Sequence, residues 1–131
     1  YAELAKLLPT DEAKATTKGK IDNFAAAYGT ILFFEDHNVV KGLQEQFPSY
    51  ADNFPIWSEQ STGIASFAVW NALAEAGVGA NIQHYNPLID EKVAKEWNIP
   101  SNLVLRAQMP FGEIVGEAAP IERKARVRVV K

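Results

Sequence analysis

Two short polar segments of this chain contain the side chains that are best suited to bind a ligand. In the first, Gln83, His84 and Tyr85 follow Ile82, where an apolar stretch gives way to polar residues. Layered α/β sheets bind their ligands where strands end. The segment is therefore a candidate binding loop. The alternative is a polar loop whose side chains only satisfy local hydrogen bonds.

The second segment is a pair of arginines near the end of the chain. Arg126 and Arg128 alternate with valines, so on a predicted strand their side chains would point to one face. Two neighbouring guanidinium groups can hold a phosphate through charge-assisted hydrogen bonds. A solvated, charged tail is the alternative.

Common catalytic and metal-binding signatures are absent from the sequence. No phosphate-binding glycine motif occurs, and no serine lies in a nucleophile elbow. Two histidines and no cysteine are too few for most zinc sites. Glu35, Asp36 and His37 resemble an acid–base cluster, but we interpret them as a strand end followed by a helix cap, because adjacent side chains diverge. We predict neither a metal site nor a catalytic side chain.

Composition limits the class of protein. The 131 residues fit one domain, and 47% apolar with 22% charged residues is typical of a globular chain. A net charge of −3 disfavours nucleic acid as a partner, and no apolar run is long enough to span a bilayer. The absence of cysteine fits a reducing compartment, so we expect a cytoplasmic location.

Hydrophobic periodicity predicts the elements that must position these residues. Strands are expected at about 30–35, 80–85, 103–109 and 126–130. Helices are expected at 2–8, from Thr10 or Asp11 to Gly29, from Asp36 or Asn38 to Pro48, at 55–76 and at 87–97. The apolar run at 30–34 is typical of a central strand covered on both faces. The interleaved order predicts a layered α/β or α+β sheet with helices on its faces.

The helix predicted at 55–76 is apolar nearly all round from Ile64 to Ala76. A helix without a polar face must be covered on every side. In a chain of this size part of that cover would come from a second subunit, which predicts a homodimer. A core helix buried within one chain is the alternative.

Several long stretches closely resemble the nitroreductase family, and in particular its fungal-type subgroup, which also occurs in bacteria. These stretches are residues 24–37, 42–62, 67–74, 79–100 and 107–113. The resemblance implies an α+β nitroreductase-like fold whose mostly antiparallel sheet is flanked by helices. It also implies an FMN-binding homodimer that uses NAD(P)H to reduce nitroaromatic or related electrophilic acceptors. The helix at 55–76 matches the dimer helix, and the C-terminal strand would reach the partner subunit.

The resemblance also assigns roles to the two polar segments. Ile82, Gln83, His84 and Tyr85 match the loop that passes over the flavin ring, where a backbone N–H can hold the N5 edge. Arg126 and Arg128 match basic residues that hold the FMN phosphate. Hydride would pass through flavin N5 in a ping-pong cycle, so no acid–base side chain is required.

One part of the family pattern does not occur in this sequence. Family members open with about 65 to 70 further residues, which carry an Arg/Ser-rich phosphate site and a Ser-x-Asn-x-Gln flavin loop. We therefore expect residues 1–131 to be the C-terminal two thirds of a nitroreductase-like domain. The alternative is a non-catalytic dimeric module without a complete flavin site, acting as a stress or lipid-signalling partner or as an apolar-ligand binder.

Overall fold

The computed structural model describes residues 1–117, 119–122 and 127–130. These residues form five α-helices, one 3-10 turn and three strands. In chain order they are α1 (Ala2–Ala5), α2 (Asp11–Ala25), β1 (Gly29–Asp36), α3 (His37–Gln46), the 3-10 turn Pro48–Tyr50, α4 (Phe54–Glu75), β2 (Val78–Ala80), α5 (Asp90–Glu96) and β3 (Leu103–Glu113).

Side-chain caps and proline account for where several helices begin. The Thr10 hydroxyl accepts a hydrogen bond from the Ala13 N–H at the start of α2. Asp36 does the same for the Asn38 N–H, so α3 begins directly after β1. Pro55 lies in the first turn of α4, where a missing N–H leaves no hydrogen bond unmade.

The sheet is antiparallel with the order β1-β3-β2. Its central strand is β3, which carries the most deeply buried apolar side chains of the described residues: Leu105, Ala107 and Met109. The prediction of a central strand at 30–34 is wrong for the part of the chain that the structure describes, because β1 pairs there with β3 alone and lies at an edge of the sheet. An apolar run reports how far a strand is covered, but it does not report how many strands pair with it.

The segment 80–85 differs from the predicted strand. β2 ends at Ala80, and beyond it the chain pairs with β3 through a single bridge between Gln83 and Gln108. In contrast, β3 is longer than predicted and reaches Glu113. Polar side chains in 81–86 bind β3 in place of a regular ladder, which hydrophobic periodicity alone does not reveal.

The long helix is confirmed, but its burial is not complete within one chain. α4 is covered along one stripe, where Ser66 is buried and Thr62 and Val69 are half-buried. Ile64 and Phe67, by contrast, are 71% and 64% exposed. The residues on the other sides of α4 therefore lie open in the isolated chain.

Three smaller expectations also changed. α1 ends at Ala5, and α5 covers only Asp90–Glu96. α2 ends at Ala25, before Gly29. Ala27 and Tyr28 then pass close to Gly112, where an added Cβ would lie 3.2 Å from the Tyr28 nitrogen.

The predicted strand at 126–130 is not formed over residues 127–130, which are exposed. Alternating valines favour a strand but do not supply the neighbouring strand that it must pair with. Arg126 lies outside the described residues. Among the described residues, no helix is long and apolar enough to cross a membrane.

Candidate functional site

The candidate site is built on residues 81–86, which run beside the central strand. The Asn81 N–H donates to the Pro110 carbonyl at 3.1 Å. Two residues later Gln83 and Gln108 exchange both backbone hydrogen bonds, with N···O distances of 2.7 and 2.9 Å. The segment is thus fixed to β3 at alternate residues, and the four predicted loop residues Ile82 to Tyr85 lie together.

The side chain of Gln108 holds the next part of the loop. Its Oε1 accepts the Tyr85 N–H at 2.9 Å, and its Nε2 donates to Asn86 Oδ1 at 3.0 Å. Asn86 Nδ2 donates to Asp90 Oδ1 and to the Leu105 carbonyl, both at 2.8 Å. Gln108 is only 5% exposed, so this amide network is enclosed by protein.

The loop presents two backbone donors away from the sheet. The N–H groups of Asn81, Gln83 and Tyr85 all point to β3 or to its side chains. In an extended chain successive N–H groups alternate in direction, so those of Ile82 and His84 point the opposite way. In the described part of the chain neither of these two groups makes a hydrogen bond. Together they form a donor edge, which is able to pair with acceptor atoms.

The side chains of the loop have separate surroundings. His84 is exposed, and its Nδ1 lies 3.1 Å from the Arg106 carbonyl. Tyr85 is half-buried, and burial raises the pKa of its hydroxyl. Arg128 is exposed and shares no hydrogen bond or ion pair with the loop within the described ranges. The structure therefore brings Ile82, Gln83, His84 and Tyr85 together but does not bring Arg128 to them.

A second polar cluster lies where β1 meets α4. Arg106 Nε donates to the buried Glu35 carboxylate at 2.9 Å, and its Nη2 bonds both Glu35 and Glu59, the latter at 2.8 Å. His37 Nε2 lies 3.2 Å from Glu35 Oε2. The interpretation of these residues as a strand end followed by a helix cap is confirmed, because β1 ends at Asp36 and Asp36 caps α3. Glu35 and His37 nevertheless meet, which that interpretation did not include. Residues two apart at a strand end share a face, and this spacing was the signal that could have revealed the pair.

The Glu35 carboxyl is kept ionised by its partners. Burial alone would raise its pKa, but hydrogen bonds from Ser58 and Arg106 and the charges of Arg106 and His37 outweigh burial. The pKa of Glu35 therefore lies below its usual range. The cluster joins β1, β3 and α4, and it supplies a fixed frame rather than an available proton.

Neither cluster contains a metal-binding set. No group of three histidine or carboxylate side chains is close enough to hold an ion among residues 1–117, 119–122 and 127–130. An apolar groove of about 550 Å³ lies between β1, α3 and α4, and its walls include Phe33, Leu43 and Trp57.

The known proteins to which this chain is similar share one description. A profile described as the nitroreductase family matches residues 2–113. Nitroreductase FRM2 of Saccharomyces cerevisiae is 36% identical over 120 residues, which cover 92% of this chain and 58% of the relative. The putative nitroreductase HBN1 of the same yeast is 36% identical over 102 residues, which cover 78% and 50%. The chain thus spans about half the length of these curated relatives.

Solved structures agree with this grouping. Nitroreductase CinD from Lactococcus lactis in complex with chloramphenicol is 59% identical, with a TM-score of 0.83 over 90% of this chain and 64% of the other. The CinD complex with nicotinic acid covers 98% and 71% at 55% identity and a TM-score of 0.82. A nitroreductase from Saccharomyces cerevisiae is 33% identical, with a TM-score of 0.70 over 87% and 61%.

Proposed function

The chain belongs to the nitroreductase family, and from this premise we propose that it forms part of an FMN-dependent oxidoreductase. The enzyme would use NAD(P)H to reduce nitroaromatic or related electrophilic acceptors. The observation that carries the proposal is the outward donor edge formed by the Ile82 and His84 N–H groups. We further propose that residues 1–131 are the C-terminal two thirds of one nitroreductase-like domain.

The donor edge fits the flavin that the family implies. Oxidised flavin presents acceptor atoms along the edge that includes N5, and two backbone N–H groups that point from one extended loop can meet such an edge. A backbone donor needs no particular side chain, which is consistent with the varied types in Ile82, Gln83, His84 and Tyr85. The phosphate of FMN would be held by Arg126 and Arg128, through charge-assisted hydrogen bonds.

When bound, FMN supplies the redox chemistry by accepting hydride from NAD(P)H and passing it to the acceptor. Residues 82–85 would orient the flavin, and the His84 N–H would be the hydrogen-bond donor at its N5 edge. Because donors fixed before the reaction need not reorganise during it, a rigid loop favours the transfer. The buried network around Gln108 supplies that rigidity.

The substrate class is supported by ligands of the related structures. The CinD structures from Lactococcus lactis contain chloramphenicol, 4-nitrophenol or nicotinic acid. The first two carry a nitroaromatic ring, and the third resembles the ring of a nicotinamide. We therefore propose that small flat aromatic acceptors and the nicotinamide ring use the same place against the flavin, in a cytoplasmic protein.

A homodimer is part of the proposal. The open sides of α4 carry large apolar residues such as Ile64, Phe67 and Trp70. Such a continuous apolar surface is typical of a subunit interface. A partner subunit would cover α4 and complete the walls of the flavin site.

The apolar groove favours one alternative function. Its volume of about 550 Å³ suits a small apolar ligand, as in a non-catalytic binding module. This alternative predicts a protein that retains apolar molecules but no FMN.

Reconstitution with FMN, followed by NAD(P)H oxidation with 4-nitrophenol, separates the two functions. The oxidoreductase proposal predicts a yellow protein whose NAD(P)H oxidation depends on both FMN and the nitroaromatic. Riboflavin serves as the matched ligand without a phosphate, and we expect it to bind more weakly than FMN. A colourless protein that takes up no added FMN would contradict the proposal.

A further inference from the structure

Gln108 makes four hydrogen bonds to the candidate flavin loop. Its backbone N–H and carbonyl pair with Gln83, its Oε1 accepts the Tyr85 N–H, and its Nε2 donates to Asn86 Oδ1. It is 5% exposed and lies in the central strand, which is held from both sides. One buried residue therefore controls the path of the loop from 83 to 86.

The side chain of Gln108 acts where the regular ladder stops. Antiparallel pairing of Gln83 with Gln108 would place Tyr85 opposite Arg106. Instead the Tyr85 N–H donates to Gln108 Oε1, while the Arg106 carbonyl lies 3.1 Å from His84 Nδ1. The loop leaves the sheet after Gln83, and the Gln108 amide supports it at that point.

The direction of the amide is fixed by its neighbours. Asn86 Nδ2 is already committed to Asp90 and to the Leu105 carbonyl, so Asn86 Oδ1 faces Gln108. Gln108 must then present its NH2 group to Asn86 and its oxygen to Tyr85. An apolar residue of the same length offers neither group, and a side chain with only acceptors satisfies only one of the two.

We propose that Gln108 is a positioning residue for the flavin, because its buried amide holds residues 83–86 so that the His84 N–H faces the N5 edge. The inference rests on the proposed function, since it assigns a use to the outward N–H. Gln108 does not touch the flavin itself. It acts by accepting hydrogen bonds from the N–H groups of both Gln83 and Tyr85. The N–H of His84, which lies between them, must then point away from β3.

The first arm of the test follows the loop without flavin. Hydrogen exchange at the Tyr85 amide is compared in the wild type, in Gln108→Met and in Asn102→Ala. Asn102 is the matched control, because it lies near the start of the same strand and donates to Asp36 at 2.8 Å, away from the loop. We expect Gln108→Met to speed exchange by roughly tenfold or more, because a buried hydrogen bond is lost, and Asn102→Ala to leave it unchanged. Unchanged exchange in Gln108→Met would overturn the proposal.

The second arm follows reduction of bound FMN by NAD(P)H in rapid mixing, with the FMN dissociation constant measured in parallel. Gln108→Met is expected to slow flavin reduction by roughly tenfold, whereas Asn102→Ala is expected to leave the rate of reduction unchanged. Wild-type protein that binds no FMN would reject the proposed function. FMN that binds and is reduced equally fast in wild type and Gln108→Met would reject the positioning role alone.

Gln108→Glu provides a pH-dependent rescue, which tests whether the donor and the acceptor of this side chain are what hold the loop. Burial raises the pKa of the introduced carboxyl, and its neutral form offers one donor and one acceptor, as the amide does. We expect flavin reduction in this variant to approach the wild-type rate as pH falls, while Gln108→Met stays slow. His84 and Asp90 lie beside the same loop in all these proteins, so each rate is compared with the wild type at the same pH. No recovery at low pH would count against the proposal.

Discussion

His84 contributes to the proposed site through its backbone rather than through its imidazole. Its N–H points away from β3, and its ring is exposed beside the Arg106 carbonyl. Proline lacks an N–H and favours the extended backbone already present at Gln83 before it, so it removes the donor with little change of path.

We therefore predict that His84→Pro slows reduction of bound FMN by about tenfold or more, since a charge-stabilising donor is lost. His84→Ala, which keeps the N–H, is the matched variant and should show a clearly smaller loss. Rapid-mixing kinetics of the two variants test this. Equal rates in both would place the donor elsewhere.

A second prediction concerns Glu35, in the polar cluster where β1 meets α4. Its pKa is lowered in the folded chain, so its contribution to stability is present above the usual value of 4.5 and is lost as pH falls below it. We predict that Glu35→Gln lowers the free energy of unfolding by about 1–3 kcal/mol at neutral pH, because a buried charged hydrogen bond to Arg106 is lost.

Below pH 4.5 the difference between wild type and Glu35→Gln should narrow, because the protonated carboxyl is neutral like the amide. Denaturant unfolding at several pH values measures this. A difference that stays constant with pH would show that the ion pair does not stabilise the fold.

At the scale of elements, α4 leaves several large apolar side chains exposed in the isolated chain. Phe67 is 64% exposed on it, and Trp97, at the end of α5, is 60% exposed. We predict that Phe67→Glu dissociates the dimer at micromolar concentration, because a charge would be buried in an apolar interface. Trp97→Glu is the control, because it makes the same kind of substitution at an aromatic residue of similar exposure outside α4. Light scattering measures the molar mass of both variants in solution. A Phe67→Glu protein that remains dimeric would contradict the proposed interface on α4.

Some features of the helices and strands could be predicted from the sequence, and others could not. Caps at Thr10 and Asp36 and the length of α4 followed from local chemistry, which acts over one or two turns. The edge position of β1 and the course of 81–86 did not. Both depend on pairing with β3, about 25 to 80 residues away in the chain, and periodicity carries no information on such partners.

The candidate site, too, was predicted only in part. Residues 82–85 were found because polar residues follow an apolar stretch, and the family resemblance gave them a role. Gln108 was missed because a single glutamine in an apolar strand has no distinctive spacing. Only the folded chain places its amide against Tyr85 and Asn86.

At the scale of the whole molecule, the isolated chain holds one rigid loop and leaves much apolar surface open. The solved CinD chains extend beyond the part it matches, and this chain covers 64 to 71% of them. The proposed site thus combines a donor edge from residues 82–85 with walls that a partner subunit would supply. We propose that this assembly holds FMN in a form that NAD(P)H can reduce.

This proposal is tested by anaerobic addition of NAD(P)H to the FMN-reconstituted protein, with the visible absorption of the bound flavin as the signal. We expect the flavin band to bleach with NAD(P)H and to return when 4-nitrophenol is added. Free FMN at the same concentration is the control for reduction off the protein. Bound flavin that NAD(P)H does not bleach, or protein that retains no flavin, would contradict it.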